Sequence, residues 1–429
     1  MKILIKDIRL AKDCGFGKNP VNILTDGKII SYIGEFVPDV RADRVIDGKG
    51  NLVLPAFYNA HCHSSMTLFR GYGDDLPLDR WLNERIFPAE DRLDEKSVYI
   101  GSMVAIAEMI RNGIVSFSDM YMFMDSVACA VRDCKVKANL ARSIVSFDPD
   151  IDMKNDFRMK EAADFAKRWH GECDGKIKVD MSLHAEYTNV AKCCEYVADY
   201  AAKNGYLMQV HASETKKEHD ECIARHGVTP IRFFSDTGVF DVPATAAHCV
   251  WADDEDIEIL ARKSVTVAHN PVSNLKLASG VMPYVKMKKA GVNIALGTDG
   301  AASNNRLDIL REMQFAALIH KGIQLDAAAT DASDMIYMAT RAGALAQGRR
   351  DCGKIETGYA ADLLMIDLHS INNIPNYDYE SAVCYSVGTS DIVLTMCDGC
   401  ILYENGAYTS IDTERLEFEM KQVLENYFV

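Results

Sequence analysis

Residues 51–63 read NLVLPAFYNAHCH, an apolar run that ends on two histidines one residue apart. Seven further strand-like apolar runs follow: GIVSFSDM (113–120), NLARSIV (139–145), KIKVDMSLHAE (176–186), YLMQVHASE (206–214), ATAAHCV (244–250), VTVAHNP (265–271) and VNIALGTDG (292–300). The segments between them are helix-sized, EKSVYIGSMVAIAEMIRNG (95–113) being one, so strands and helices alternate and a parallel sheet is expected. Eight such units predict a (β/α)8 barrel of the TIM type, whose reactive face is the C-terminal end of its strands, where the polar residues of these runs fall.

Outward from the barrel, the composition changes. Residues 1 to about 54 read as short strands with Asp-Gly punctuation, KILIKDIRL, VNILTDGKIISYIGE and RVIDGKGNLVLP, and GYAADLLMIDL and DIVLTMCDGCILYENG repeat that style after residue 352. The expected organisation is a small β-sandwich built from both chain ends, 1–54 and 352–429, the latter with a C-terminal helix, around a barrel at 55–351. Within it, Cys397-Asp398-Gly399-Cys400 reads as a hairpin turn between apolar runs rather than as a redox or metal pair. The thirteen cysteines, an odd number that includes the adjacent Cys193 and Cys194, read as reduced thiols.

A net charge of −15 argues against a nucleic-acid backbone or an anionic membrane as partner. The first ten residues, MKILIKDIRL, interrupt each apolar run with a charge, and no run of 18 apolar residues follows, so a cytosolic location is expected. Association into homo-oligomers is left open.

The chemistry starts at His61-Cys62-His63. Side chains two apart on a strand share a face, so both imidazoles can bind one ion. His211 ends the fifth run and Asp299 the eighth, and the four together make a three-histidine, one-carboxylate set with room for water. Each has a plainer reading, a hydrogen-bonded core histidine or a turn aspartate, but four such coincidences at one barrel end favour a metal. Zinc suits these donors; Fe(II), Mn(II) and Ni(II) are chemically admissible. Glu214, three residues past His211, is placed to move protons, His248 at the end of the sixth run to stabilise a tetrahedral intermediate, and Asp299 to act as base as well as ligand. His269 reads as a structural, hydrogen-bonded residue.

The stretches PAFYNAHCHSSMTLFRG (55–71), HASET (211–215), HNPVSNLKLASG (269–280) and GTDGAASNN (297–305) resemble the amidohydrolase superfamily, and within it the 5-methylthioadenosine/S-adenosylhomocysteine deaminases and related chlorohydrolases. The resemblance spans nearly the whole chain. It implies a zinc barrel and hydrolytic deamination of an adenine nucleoside at C6, metal-bound hydroxide attacking and ammonia leaving. It also implies that Glu90 contacts ribose hydroxyls, His184 the sugar and base, and that Arg142 and Arg158 hold the amino-acid end of S-adenosylhomocysteine, with Trp81 as an apolar wall. Alternatives are another heterocycle, such as a guanine, pterin or chlorotriazine, or a barrel without catalysis that serves assembly. One departure is expected: TKKEHDECIARHG (215–227) reads as a longer polar loop after strand five.

Overall fold

The computed structural model describes residues 1–11 and 19–428. Five strands open the chain: β1 (Lys2–Leu10), β2 (Val21–Asp26), β3 (Ile29–Gly34), β4 (Arg44–Asp47) and β5 (Leu52–Pro55). Nine follow: β6 (Phe57–Cys62), β7 (Ile114–Tyr121), β8 (Lys137–Ile144), β9 (Ile177–Val179), β10 (Met181–Leu183), β11 (Met208–Ala212), β12 (Ala244–His248), β13 (Thr266–His269) and β14 (Asn293–Leu296). The last four are β15 (Leu363–Ile366), β16 (Ile392–Cys397), β17 (Cys400–Glu404) and β18 (Ala407–Tyr408), before a helix at Thr413–Phe428.

The two chain ends share one β unit, ordered β18-β17-β16-β15-β5-β1-β2-β3 with β4 beside β1. A bulge lets β1 serve two sheets. Its first half pairs with β2 and β4, its register breaks between Ile5 and Ile8, and Arg9 and Leu10 then pair with β5. Asp7 makes this bend at φ 52°. Between the two layers Ile3, Ile5, Val21, Ile23, Leu363 and Met396 form a separate buried core, so the unit is a sandwich. Its Cys397–Cys400 turn has φ 47° at Asp398 and 69° at Gly399, the type I′ geometry that Asp-Gly favours. Cys397 is buried and Cys400 exposed.

The remaining strands form the barrel, parallel in the order β6-β7-β8-β10-β11-β12-β13-β14. It closes where the N–H groups of Thr298 and Asp299 both donate to the carbonyl of His61, at 3.1 and 3.0 Å. Gly297 makes this seam possible: a Cβ there would lie 2.3 Å from Asn270 Oδ1 and 3.0 Å from His61 Cβ.

Two runs differ from their reading as single barrel strands. The 51–63 run divides at Ala56, because Pro55 has no N–H to continue the ladder; β5 belongs to the sandwich and β6 to the barrel. The fourth run is two short pieces around Asp180, whose buried carboxylate accepts from Asn139 Nδ2 at 3.0 Å and Gln209 Nε2 at 2.8 Å. The division at 54/55 and 351/352 stands as our proposed partition into domains. No helix among the described residues is long and apolar enough to cross a membrane.

Candidate active site

The C-terminal ends of four barrel strands bring His61, His63, His211, His248 and Asp299 together. Ring nitrogens of His61, His211 and His248 lie within 4.8 Å of one another, as do ligating atoms of His61, His63 and Asp299. The backbone that presents them sits in the left-handed region at four residues: Ser213 (φ 50°), His248 (74°), Cys249 (46°) and Asp299 (59°). Non-glycine residues adopt it at a cost, and such strain clusters where side chains are aimed for function.

Hydrogen bonds fix the imidazole tautomers. His63 Nδ1 lies 2.8 Å from the carbonyl of Met120, and His211 Nδ1 2.8 Å from that of His184, so each Nδ1 carries the proton and donates it. Both Nε2 atoms are then lone-pair acceptors, yet they face each other at 3.3 Å. Asp299 Oδ1 stands 3.3 Å from His63 Nε2 and 3.6 Å from His61 Nε2, and the latter atom is buried with no hydrogen-bond partner. Lone pairs and a carboxylate converging on one spot call for a cation, and three nitrogens with one carboxylate fit a divalent ion. Burial pushes His61 down to about 4 and His211 well below the imidazole range, which keeps both nitrogens free to ligate. Burial alone would raise Asp299, but His61, His63 and His248 hold its carboxyl well below the usual range.

Beside this cluster lies an acid–base pair. His248 Nε2 is 3.8 Å from Glu214 Oε2. Nδ1 of His248 donates to Asn274 Oδ1 at 2.8 Å, which turns Nε2 toward the cluster. Burial raises the pKa of Glu214. It works the other way on His248, but Glu214 and Asp299 outweigh it, so the imidazole is raised overall.

The residues implied for substrate have partners of their own. Glu90 is mostly buried, accepts from Tyr121 Oη at 2.5 Å, and is raised by its burial. His184 directly follows β10; its Nδ1 is 3.3 Å from Thr188 Oγ1, and burial pushes it down to about 4. Arg142, near the end of β8, pairs with Glu161 at 2.8 Å. Arg158 stands at the start of the helix Phe157–Trp169, 4.4 Å over the ring of Phe157 and 3.6 Å from Asp156, and no direct contact joins it to Arg142. Trp81 is buried in the main core against Gly73. His269 is outside the cluster, its Nε2 3.0 Å from His320 Nε2.

The segment 215–227 is not a longer loop. It is an ordinary helix, Lys216–His226, in which Thr215 Oγ1 caps the N–H of Glu218. The capping-box spacing T-x-x-E carried that signal. Glu218, buried, accepts from the N–H groups of Ser213 at 2.9 Å and Glu214 at 2.7 Å, and so holds the strained turn that presents Glu214. Sequence reading also gave no role to Tyr121, Asn274 or Ser279, whose hydroxyl lies 3.3 Å from Glu214 Oε1. Asn274 and Ser279 were in view within HNPVSNLKLASG; nothing in their spacing showed where they point.

The model of the amidohydrolase family matches residues 52–402. A 5-methylthioadenosine/S-adenosylhomocysteine deaminase of Dictyoglomus thermophilum is 42% identical over 422 residues, covering 98% of both chains. A 5'-deoxyadenosine deaminase of Methanosarcina mazei is 40% identical, covering 99% of this chain and 98% of its own. Among solved structures, an adenosine deaminase from Xanthomonas campestris with bound zinc superposes with a TM-score of 0.92 at 29% identity, covering 99% of this chain and 98% of its own. With a closed parallel barrel, a sandwich made from both chain ends and a cation-seeking mouth, the chain belongs to the amidohydrolase family.

Proposed function

We propose that this protein is a hydrolytic deaminase of adenine nucleosides of the 5-methylthioadenosine and S-adenosylhomocysteine class. The observation that carries the chemistry is the pair of facing imidazole lone pairs beside Asp299, with Glu214 and His248 at their rim. Likeness to the Dictyoglomus deaminase over nearly the full length supports the substrate class. His61, His63, His211 and Asp299 are the ligands in this reading, and zinc the ion, as in the Xanthomonas neighbour. Such an ion lowers the pKa of a water toward about 7 and supplies a nucleophile at neutral pH.

The side chains do the rest. Glu214, with its pKa raised, carries a proton to the ring nitrogen N1 while oxygen adds at C6. His248 turns Nε2 to that oxygen and steadies its charge, its own ring held by Asn274. Asp299 accepts the remaining oxygen-borne proton; the proton passes to the amino group, the C6–N bond breaks and ammonia leaves. Glu90 meets the ribose hydroxyls, His184 and Trp81 line the nucleoside, and Arg142 and Arg158 receive a carboxylate tail. A tail carboxylate competes with Glu161 for Arg142.

The test is to incubate the zinc-loaded protein with S-adenosylhomocysteine, 5-methylthioadenosine, adenosine and guanine, following ammonia and the adenine-to-hypoxanthine absorbance change. Ammonia is expected from the adenine nucleosides, and its release from guanine alone would replace this reading. Glu214→Gln is expected to keep its zinc and lose at least ~10²-fold in turnover; near-normal turnover would remove Glu214 from the mechanism.

A further inference from the structure

Asp299 divides its two oxygens between different duties. Oδ1 accepts from the N–H of Gly300 at 2.8 Å and faces the histidines. Oδ2 accepts from two hydroxyls, Ser273 Oγ at 2.5 Å and Ser303 Oγ at 2.8 Å. Those serines sit on two very short helices, Pro271–Lys276 after β13 and Ala301–Asn304 after β14. Helices of four to six residues do not hold themselves in water, so their position has to come from elsewhere.

It comes from Glu312, on the long helix Ile309–Gln324. This side chain is fully buried, and each carboxylate oxygen takes one short helix. Oε2 accepts from the N–H of Val272, next to Ser273, at 3.1 Å; Oε1 accepts from Nδ2 of Asn304, next to Ser303, at 2.7 Å. Asn304 Nδ2 also donates to the carbonyl of Thr298, the residue before Asp299, at 2.7 Å. Burial pushes the Glu312 carboxyl up to about 8, and the hydrogen bonds from Asn304 and Val272 work against that rise.

We infer that Glu312 is a positioning residue for the candidate ligand Asp299: by clamping Val272 and Asn304 it fixes the two serine hydroxyls that occupy Oδ2, leaving Oδ1 for the cation. The inference rests on the reading of Asp299 as a ligand. Outer partners of metal ligands commonly alter affinity ~10–100-fold when lost.

The test measures zinc dissociation constants by chelator competition, with kcat and KM for the deaminated nucleoside at saturating zinc. Glu312→Gln keeps the shape but turns one accepting oxygen into a donor. It is expected to weaken zinc ~10–100-fold and to lower kcat with KM unchanged. In a Ser273→Ala/Ser303→Ala background the same change is expected to add nothing beyond about twofold, because the hydroxyls through which it acts are gone. An equal loss in both backgrounds, or unchanged zinc affinity with only a lower melting temperature, would overturn the inference. If Glu312→Gln does not fold, Asn304→Ala cuts one arm and is read in the same cycle. Asp299→Asn binding zinc as tightly as the unaltered protein would instead overturn the ligand reading underneath.

Discussion

The barrel carries two buried polar clusters at its opposite ends, and they differ in charge balance. At the N-terminal end Lys137, the first residue of β8, places its ammonium 2.5 Å from Asp362 and 2.6 Å from Asp398. Lys176 stands 2.9 Å from Asp398, and Tyr58 Oη donates to Asp362. Burial works against both charges of the central pair, yet Lys137 is raised overall by the surrounding acids and Asp362 is held below the usual carboxylate range by Lys137. Two cations meet two anions, and the set is complete. It ties β8 and Lys176 to the turn between β16 and β17 and to the residue before β15, which are parts of the sandwich. At the mouth, Asp299 and Glu214 stand among His61, His63, His211 and His248, and the Nε2 lone pairs of His63 and His211 face each other at 3.3 Å. A self-neutral buried cluster joins parts of the fold, while one in which lone pairs and a carboxylate converge is suited to bind a cation.

Removing a charge from the base separates the two most strongly. Lys137→Met leaves Asp362 and Asp398 without their shared partner, and a broken buried pair costs about 3–5 kcal/mol. Urea denaturation of the metal-free protein is expected to show that loss. The mouth lies at the other end, so stabilisation by added zinc is expected to survive; a variant that lost it would show that the clusters are not independent.

Adding zinc to the mouth is the complementary experiment. Zinc at a hundred times its dissociation constant stabilises a folded state that alone binds it by about 2.7 kcal/mol. The unaltered protein is expected to show this as a rise in melting temperature that EDTA reverses, and His211→Ala to show little of it. A rise of equal size in His211→Ala would place the zinc elsewhere.

The same contrast explains what could be read before the structure. The eight strands were legible because each is a local run, and His61, His63, His211, His248 and Asp299 because each stands at the end of one. The fold places those ends on one rim. Lys137, Asp362 and Asp398 were not legible as a group: more than 220 positions separate Lys137 from Asp362, and no periodicity links them. Asp398 was read correctly as part of a turn, and its ion pairs only appear once β16 and β17 reach the barrel. Glu218 is the opposite case, since its capping spacing was local and was nonetheless read as loop. Glu312 lies in an ordinary helical pattern, and its duty comes from two short helices that precede it in the chain.

The smallest expected effect is a change of slope with pH. Asp362 has a folded pKa below its unfolded value of about 3.9. Its contribution to stability is therefore fully present above that value and lost as pH falls through the folded pKa. Without Lys137, burial is the main influence left on this carboxyl; it raises the pKa, so protonation at low pH relieves the folded state instead of weakening it. Between pH 6 and pH 3, the urea midpoint of the metal-free unaltered protein is expected to fall more steeply than that of Lys137→Met. Carboxylates that Lys137 does not touch, Asp299 included, cancel in the difference. Parallel curves would mean that Lys137 does not set the charge of Asp362, and the base could then no longer be called self-neutral in contrast to the mouth.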